Sequence, residues 1–555
     1  MARDSSLHFI TLRMTSADNI NARIKTTTPT LETTANIKPV YPTGATKWIL
    51  ILTAVSCAIL ELIDTTVVNV SLREISGSIG ATTTEIAWVI TAYAISNVII
   101  IPLTSMLSDL FGRKTYFTAS VVIFTFSSLM CGLSTNLWML VFWRFVQGIG
   151  GGGLLSTAQS IIVGAFPPEK ISTANAIFGM GIILGPTFGP ALGGFITDNF
   201  SWHWIFFVNI PIGIVATILA WTYVTDMPGA KKPRKIDWWG IIFLIAAVGS
   251  LQFVLEEGTA KDWFESPEII TFSIVASVGL IAFIYRELNI DYPAVNIRLY
   301  KNYNLAMGSF MNFMLGLLLF GTVFIFPLFA QISLGWTATQ TGTFMIPSAL
   351  CTAVSMPIVG KLLGSGKNPK AIILIGIFIT FGFLMMMAFS SPDSSKNDFY
   401  FPFVLRGVGL AFMMSPILSL AVAGLRGKDM AQAIGLANMI RQLGGAVGIA
   451  LLNVFLTHKN AEVRGSMLGY ITDYNTAATE RISMLTQNYL SKGFSAEDAQ
   501  MAAYKAMEGM LYKQQALVAY DQGFFAVGIS ILICIPIVLL IRYKKGVPAK
   551  PIADH

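Results

Sequence analysis

Apolar segments of about twenty residues recur along almost the whole chain. Wound as an α-helix with a rise of about 1.5 Å per residue, such a segment spans the ~30 Å hydrocarbon core of a bilayer. Because lipid offers the backbone no hydrogen-bonding partners, these segments are expected to be helical. The sequence therefore predicts an all-α polytopic membrane protein. The fourteen predicted segments are 47–69, 85–107, 115–134, 138–163, 173–197, 202–224, 238–256, 268–286, 305–330, 340–360, 370–390, 399–424, 432–457 and 517–541.

The composition supports the same conclusion. Of 555 residues, 54% are hydrophobic and 12% are charged, which is more apolar surface than a soluble domain buries. The first 46 residues are polar and lack the apolar core of a signal peptide, so 1–46 is predicted to be a disordered tail. The start could be Met1 or Met14.

Lysine and arginine concentrate in every second loop, which is the usual mark of the cytoplasmic side. These residues are Arg113, Lys114, Lys170, Lys231, Lys232, Arg234, Lys235, Arg286, Arg298, Lys301, Lys361, Lys367, Lys370, Arg426 and Lys428. The alternate loops hold little beyond Arg73, Lys261 and Lys396. Both termini are therefore predicted to be cytoplasmic. The net charge of +7 is interpreted as a topology signal and not as an affinity for nucleic acid.

Two parts of the chain resemble each other. Gly150 and Gly185 have the same separation as Gly409 and Gly444, and each pair encloses a charged turn followed by a small-residue helix. Parallel repeats of this kind are a transporter architecture. They predict two six-helix bundles with two extra central helices. The predicted divisions are the tail 1–46, a first bundle 47–224, a linker with two helices 225–304, a second bundle 305–543 and a tail 544–555.

The fifth segment contains an unusual run, "GMGIILGPTFGPALGG" at 179–194. Glycine and proline break helices in water, but in lipid they are tolerated, and a row of glycines lets two helices approach closely. Gly185, Gly189 and Gly193 are spaced four apart and so share one helix face. We expect this face to pack against a helix of the opposite bundle.

A few charges fall inside apolar segments, where a central Arg or Asp costs roughly 2.5–3.5 kcal/mol. They are Glu61, Asp64, Arg144, Arg406 and Arg441. Glu61 and Asp64 are three residues apart and share a helix face, so both are not expected to be ionised together. One of the two carboxylates could then gain and lose a proton near neutral pH, as a proton carrier must. The alternative for each is a structural charge that snorkels or forms a salt bridge.

Several motifs resemble the fourteen-helix drug/proton antiporters of the major facilitator superfamily, the EmrB and QacA type, most nearly EmrB. In "LIDTTVVNVSL" (62–72), Asp64, Thr66 and Asn69 match the motif of the first helix, while its closing Pro is Arg73. "SMLSDLFGRK" (105–114) matches the cytoplasmic gate motif at Asp109, Gly112, Arg113 and Lys114. The other matching stretches are "RFVQGIGGG" (144–152), "WHWIFFVNIPIG" (202–213), "DWWG" (237–240) and "IRQLGGAVG" (440–448).

The run in the fifth segment resembles the antiporter motif of that family, typical of exporters. Its residues are Gly181, Gly185, Pro186, Gly189, Pro190, Gly193 and Gly194. The resemblance ties Arg144 to proton coupling. The charges within apolar segments add Asp64, Glu61 and Arg441, with Asp64 as the expected carrier, Arg144 as the charge that biases it and Glu61, which is outside the family motif, as the next candidate. In "SMLSDLFGRK" the usual opening Gly is Ser105 and the first Arg is Leu110, so gate control is expected to differ.

The resemblance implies a proton-driven exporter of lipophilic or amphipathic drugs in the bacterial inner membrane. A narrower exporter of a siderophore, lipid or metabolite is the alternative, and a non-transporting membrane sensor is more remote. The run from Gly148 to Gly153 fits the dinucleotide-binding pattern G-x-G-x-x-G, but it is rejected because it lies in an apolar helix with no preceding strand. No metal-ligand spacing or nucleophile–base pattern is found, so neither an enzyme, a cofactor nor a metal is expected. The resemblance leaves open the substrates, the proton stoichiometry and the oligomeric state.

The longest polar connection is 458–516. Ser495-Ala-Glu-Asp498 has a capping-box pattern, and apolar residues follow at helical spacing, so one or two amphipathic helices are expected there. The apolar residues include Ala499, Ala503, Met507 and Met510. The segment either caps the helix ends or docks a periplasmic adaptor, EmrA-like, that leads to an outer-membrane channel, as the resemblance implies.

Overall fold

A computed structural model describes residues 42–167, 170–226, 236–391, 394–425, 427–472 and 474–541. Most of the predicted tail 1–46 and all of the tail 544–555 lie outside these residues. So do Lys231, Lys232, Arg234, Lys235 and Arg426, and the side chains of Arg73 and Lys428 are not described.

Every regular element in the described ranges is helical. The long helices are α1 Gly44–Ile79, α2 Trp88–Phe111, α3 Arg113–Gly132, α4 Leu137–Gly164, α5 Ile171–Asn199, α6 Asn209–Tyr223, α7 Trp238–Glu257, α8 Pro267–Asn289, α9 Tyr303–Leu328, α10 Ala338–Gly364, α11 Pro369–Ala388, α12 Lys396–Ala421, α13 Gly427–Leu468, α14 Thr476–Ser491 and α15 Ala496–Leu532. Single turns of π-helix occur at Ile245–Gly249 within α7 and at Phe329–Ser333 after α9. Short helices lie at Thr83–Ile86, Trp204–Phe207, Trp263–Glu265, Ile297–Lys301 and Cys534–Leu540.

Thirteen of the described helices are long and apolar enough to cross a membrane, which confirms a polytopic all-α protein. The fourth predicted segment also forms a helix, α4, but it is not among the thirteen. Arg144, Gln147, Gln159 and a run of four glycines from Gly150 to Gly153 lower its hydropathy. The count of fourteen spanning helices therefore stays a prediction, and so do the domain boundaries.

Helix packing repeats between the two parts of the chain. The helix α1 packs against α5, and in the same way α9 packs against α13. Contacts between the two predicted bundles run from α5 to α10 and from α2 to α13. The intervening helices α7 and α8 pack against each other, and α7 also contacts α2.

The glycine row of α5 faces α1, which belongs to the same predicted bundle. A Cβ atom placed on Gly185 would overlap Leu62, and one on Gly189 would overlap Thr66. One on Gly193 would lie 3.0 Å from the carbonyl oxygen of Val67. The expectation that this row packs against the opposite bundle is therefore wrong. The close approach that glycine permits is used within the bundle, and the helix α10 packs on another part of α5.

The connection 458–516 is mostly helical, as predicted. The helix α13 has 42 residues and so extends about 63 Å, roughly twice the hydrocarbon core. Ser495 caps α15, since its hydroxyl accepts a hydrogen bond from the backbone N–H of Asp498 at 3.2 Å. The predicted apolar stripe is only partly on the surface: Ala499 and Ala503 are fully buried where α14 packs against α15, whereas Met507 is half-buried and Met510 is exposed.

Candidate functional site

A buried ion pair joins α1 to α4. The Nη1 atom of Arg144 lies 2.5 Å from Oδ2 of Asp64, and each side chain is only 1% exposed. Removing two charges from water is costly, and their attraction offsets this only when further hydrogen bonds satisfy both groups. Asp64 and Arg144, both predicted from the sequence, are therefore in contact. The hydrogen bonds that each makes to other groups decide whether this buried ion pair is stable.

Both oxygens of Asp64 are occupied. Its Oδ1 atom accepts hydrogen bonds from the side-chain amides of Gln147 and Asn209, each at 2.9 Å. Arg144 also donates to Gln147 Oε1 at 2.8 Å and to the carbonyl oxygen of Val89 at 3.1 Å. Three donors therefore hold the Asp64 carboxylate in place between α1, α4 and α6.

Gln147 and Asn209 are not among the predicted site residues, although they lie in the motif stretches 144–152 and 202–213. The available signal for Gln147 was its position one helical turn after Arg144, on the same face of α4. For Asn209 it was an amide in an otherwise apolar run at the start of α6. Their common partner, Asp64, lies on another helix, so spacing along the chain could not identify it.

Glu61 lies one turn before Asp64 on α1 and is completely buried. Its Oε1 atom accepts a hydrogen bond from the Asn97 side chain at 3.0 Å. Among the described residues its Oε2 atom accepts no hydrogen bond of good geometry, and the Tyr93 hydroxyl lies near enough to this carboxylate to interact with it. The Tyr93 ring lies 4.1 Å from the Arg144 guanidinium carbon, so α2 connects the surroundings of the two carboxylates. Glu61 thus has an oxygen that can take a proton without breaking a bond.

Two further arginines are buried in the second half of the chain. Arg441 on α13 is 4% exposed and lies within electrostatic reach of Glu61, but the two side chains form no ion pair. Arg406 on α12 is 2% exposed. It donates to the hydroxyls of Ser348 on α10 at 3.2 Å and Thr322 on α9 at 3.3 Å. Within the described part of the chain, no carboxylate forms an ion pair with Arg406.

The gate motif holds the loop between α2 and α3 against the end of α6. Gly112 has a φ of +88°, and a Cβ atom there would lie 3.1 Å from a carboxylate oxygen of Asp226. The backbone N–H of Lys114 donates to that oxygen at 2.9 Å, and Arg113 donates to the carbonyl oxygen of Thr225 at 2.7 Å. Asp109 lies half-buried on the last turn of α2. The motif therefore needs glycine for both conformation and space.

Hydrogen bonds also link the two halves of the chain. Asn438 on α13 donates to Gln159 on α4 at 2.9 Å and to Ser156 at 3.3 Å. Asn175 on α5 donates to Ser419 on α12 at 3.4 Å. Polar groups of this kind can exchange partners when two bundles move, whereas a tightly packed apolar contact cannot.

Comparison with known proteins identifies consistent relatives. A sequence model of the family described as "Major Facilitator Superfamily" matches residues 54–449. The fatty acid resistance protein FarB of Neisseria gonorrhoeae is 31% identical over 484 residues, which cover 87% of this chain and 94% of FarB. The multidrug export protein EmrB of Haemophilus influenzae is 32% identical over 462 residues, which cover 83% of this chain and 89% of that protein.

A solved structure with a similar fold is that of the human organic anion transporter MFSD10. The alignment has a TM-score of 0.52 and covers 87% of this chain and 99% of MFSD10. Since the two sequences are only 13% identical, the likeness concerns the fold alone.

Proposed function

The chain belongs to the major facilitator superfamily, and from this membership we propose that it is a proton-coupled antiporter that exports lipophilic or amphipathic drugs. The relative from Haemophilus influenzae is named for multidrug export, which supports drugs as substrates. The proposed location is the bacterial cytoplasmic membrane, with both termini on the cytoplasmic side.

The observation that carries the coupling proposal is the contrast between two carboxylates on one turn of α1. Asp64 has an arginine and two amides as hydrogen-bond donors on its two oxygens, while Glu61 has the Asn97 amide on one oxygen and the Tyr93 hydroxyl as a neutral neighbour. This contrast favours Glu61, rather than the expected carrier Asp64, as the group that takes up and releases the proton. Asp64 and Arg144 would then hold α1 and α4 together as a fixed unit.

Protonation of Glu61 would change the attraction between the two halves of the chain. Its negative charge faces the positive charge of Arg441 on α13, and neutralising Glu61 removes this attraction. The Asn438–Gln159 bridge beside it could then open. Proton binding would in this way bias the equilibrium between two arrangements of the halves.

The proton gradient suffices for such export. About 150 mV supplies about 3.5 kcal/mol per elementary charge, which corresponds to more than two decades of concentration ratio. One proton taken up for each neutral substrate released would keep a toxic compound dilute inside the cell.

A narrower exporter is a second candidate, and one comparison favours it. The relative from Neisseria gonorrhoeae is named a fatty acid resistance protein. In that case the transported compound would be a single class of amphipathic acid.

Transport by inverted membrane vesicles tests the proposal. Vesicles that contain the protein should accumulate a lipophilic dye when a proton gradient is present, and an uncoupler should abolish this accumulation. Uptake that persists with the uncoupler would overturn proton coupling. Accumulation of fatty acids without accumulation of unrelated dyes would favour the narrower exporter.

The helices beyond the membrane core support an adaptor as a proposed partner. Because Ala499 and Ala503 are buried, we place the docking surface at the tip between α13 and α14, where Tyr470 and Tyr474 are 74% and 98% exposed. Replacing both with Asp should weaken adaptor binding in a pull-down but leave transport in proteoliposomes unchanged. If transport fails too, the tip is part of the transport machinery and the docking role is wrong.

A further inference from the structure

Arg406 is a buried cation whose contacts are incomplete. It lies between α9, α10 and α12, and the side chains that accept its hydrogen bonds are two neutral hydroxyls. The nearest aromatic ring, that of Phe403, has its centroid 6.0 Å from the guanidinium carbon. An arginine stays charged in a protein, so a buried guanidinium needs an opposite charge, and hydroxyl oxygens supply only partial charge.

The corresponding place in the first half of the chain does hold a carboxylate. The separation between Gly150 and Gly409 relates equivalent positions of the two halves. By this relation Gln147 corresponds to Arg406, and Asp64 corresponds to the residue next to Thr322. In the first half an amide donates to a carboxylate, and in the second half a guanidinium donates to a hydroxyl. Gln147 and Arg406 are thus hydrogen-bond donors at equivalent positions of the two halves, but the acceptor in the second half carries no negative charge.

The other buried carboxylates already have partners. Asp64 pairs with Arg144, and Glu61 accepts a hydrogen bond from the Asn97 side chain. Asp237 pairs with Arg286 at 3.0 Å. Two more lie on α7 and α8. Glu257 accepts from the hydroxyl of Thr91 at 3.2 Å, and Glu287 accepts from the backbone N–H of Val295 at 3.4 Å. None of these carboxylates forms an ion pair with Arg406, so among the described residues its guanidinium contacts no opposite charge.

We propose that Arg406, Ser348 and Thr322 form a binding site for a small monovalent anion, a halide or a carboxylate. The guanidinium supplies charge and several N–H donors. Among the described residues the Ser348 hydroxyl donates no hydrogen bond of its own, so its proton is available to the anion. The Thr322 hydroxyl donates to the carbonyl oxygen of Leu319 at 3.1 Å and would have to turn towards the ligand.

Anion dependence of thermal unfolding tests this site without any transport measurement. The purified full-length protein is unfolded in sodium gluconate, and chloride or acetate replaces gluconate at constant ionic strength. A ligand that binds only the folded state raises the unfolding midpoint, for a chain of this length by roughly 1–2 °C for each tenfold rise in anion concentration above the dissociation constant. Arg406→Gln should lose this shift. Arg464→Gln, at an exposed ion pair on α13, removes the same charge and should keep it.

Thr322→Asp provides a second variant that does not remove the arginine. Its carboxylate would take the place of the anion, as Asp64 does in the first half, so the midpoint should be high in gluconate and insensitive to chloride and acetate. A shift with chloride alone or acetate alone assigns the site to a halide or to a carboxylate. The proposal is overturned if wild-type protein shows no anion dependence, or if both variants keep it.

Discussion

Arg144 in the first half of the chain and Arg406 in the second are both buried arginines on helices of corresponding position, yet their surroundings differ. Arg144 has a carboxylate at 2.5 Å and amides that satisfy the remaining groups. Arg406 has hydroxyls alone at 3.2 and 3.3 Å. The comparison indicates that the first half holds its charge permanently paired, whereas the second half presents a charge that a ligand can neutralise.

The largest expected effect comes from breaking the paired charge. Asp64→Asn leaves Arg144 buried without its carboxylate, which should destabilise the protein by about 3–5 kcal/mol and abolish uphill export. The double variant with Arg144→Gln removes both charges and should recover most of that stability. Thermal unfolding of the purified variants measures the difference, and equal stability of the single and double variants would contradict the importance of the pair.

Glu61→Gln separates the two carboxylates of α1. The neutral amide can still accept the hydrogen bond from Asn97, so the protein should fold with a stability near that of wild type. Dye accumulation in inverted vesicles should nevertheless fall by up to about two decades, since the roughly 3.5 kcal/mol that each proton supplies no longer drives transport. If the Gln variant still concentrates the dye against a gradient, proton exchange takes place elsewhere, with Asp64 the next candidate.

The loops after α2 and α10 offer a matched pair of glycines with positive φ, Gly112 and Gly366. Alanine at either position meets backbone strain of about 1–2 kcal/mol. At Gly112 the added Cβ also approaches Asp226, whereas the space around Gly366 is open. Gly112→Ala should therefore lower stability by roughly 1 kcal/mol more than Gly366→Ala. Comparison of unfolding midpoints and efflux rates for the two variants checks this, and equal effects would show that the Asp226 contact carries no weight.

The smallest effect is expected at Arg406. Arg406→Gln in gluconate leaves no carboxylate unpaired, so it should change stability by less than about 1 kcal/mol. Arg144→Gln, measured in the same way, leaves the buried Asp64 without its cationic partner. It should therefore lower the free energy of unfolding several times more. If the two substitutions lower the free energy of unfolding by similar amounts, the difference between the paired Arg144 and the unpaired Arg406 is contradicted.

Local patterns made much of the fold predictable. Thirteen of the fourteen predicted segments coincide with helices that meet the length and hydropathy requirements, because lipid demands a continuous apolar helix wherever the chain crosses it. The buried charges were also predictable, since a charge in an apolar segment is recognisable without any knowledge of its neighbours. They are Glu61, Asp64, Arg144, Arg406 and Arg441. Ser495 was found as a helix cap for the same reason: its partner is three residues away.

Partners distant along the chain were decided by tertiary packing alone. Asp64 meets Arg144 and Asn209 across 80 and 145 residues, and no spacing rule reaches that far. Packing also turned the glycine row of α5 towards α1, left one oxygen of Glu61 without a donor, and placed hydroxyls around Arg406. Sequence by itself determined where helices form and which charges they bury, because those depend on transfer from water to lipid. Only the tertiary structure decided how each buried charge is neutralised, because that depends on which helices meet.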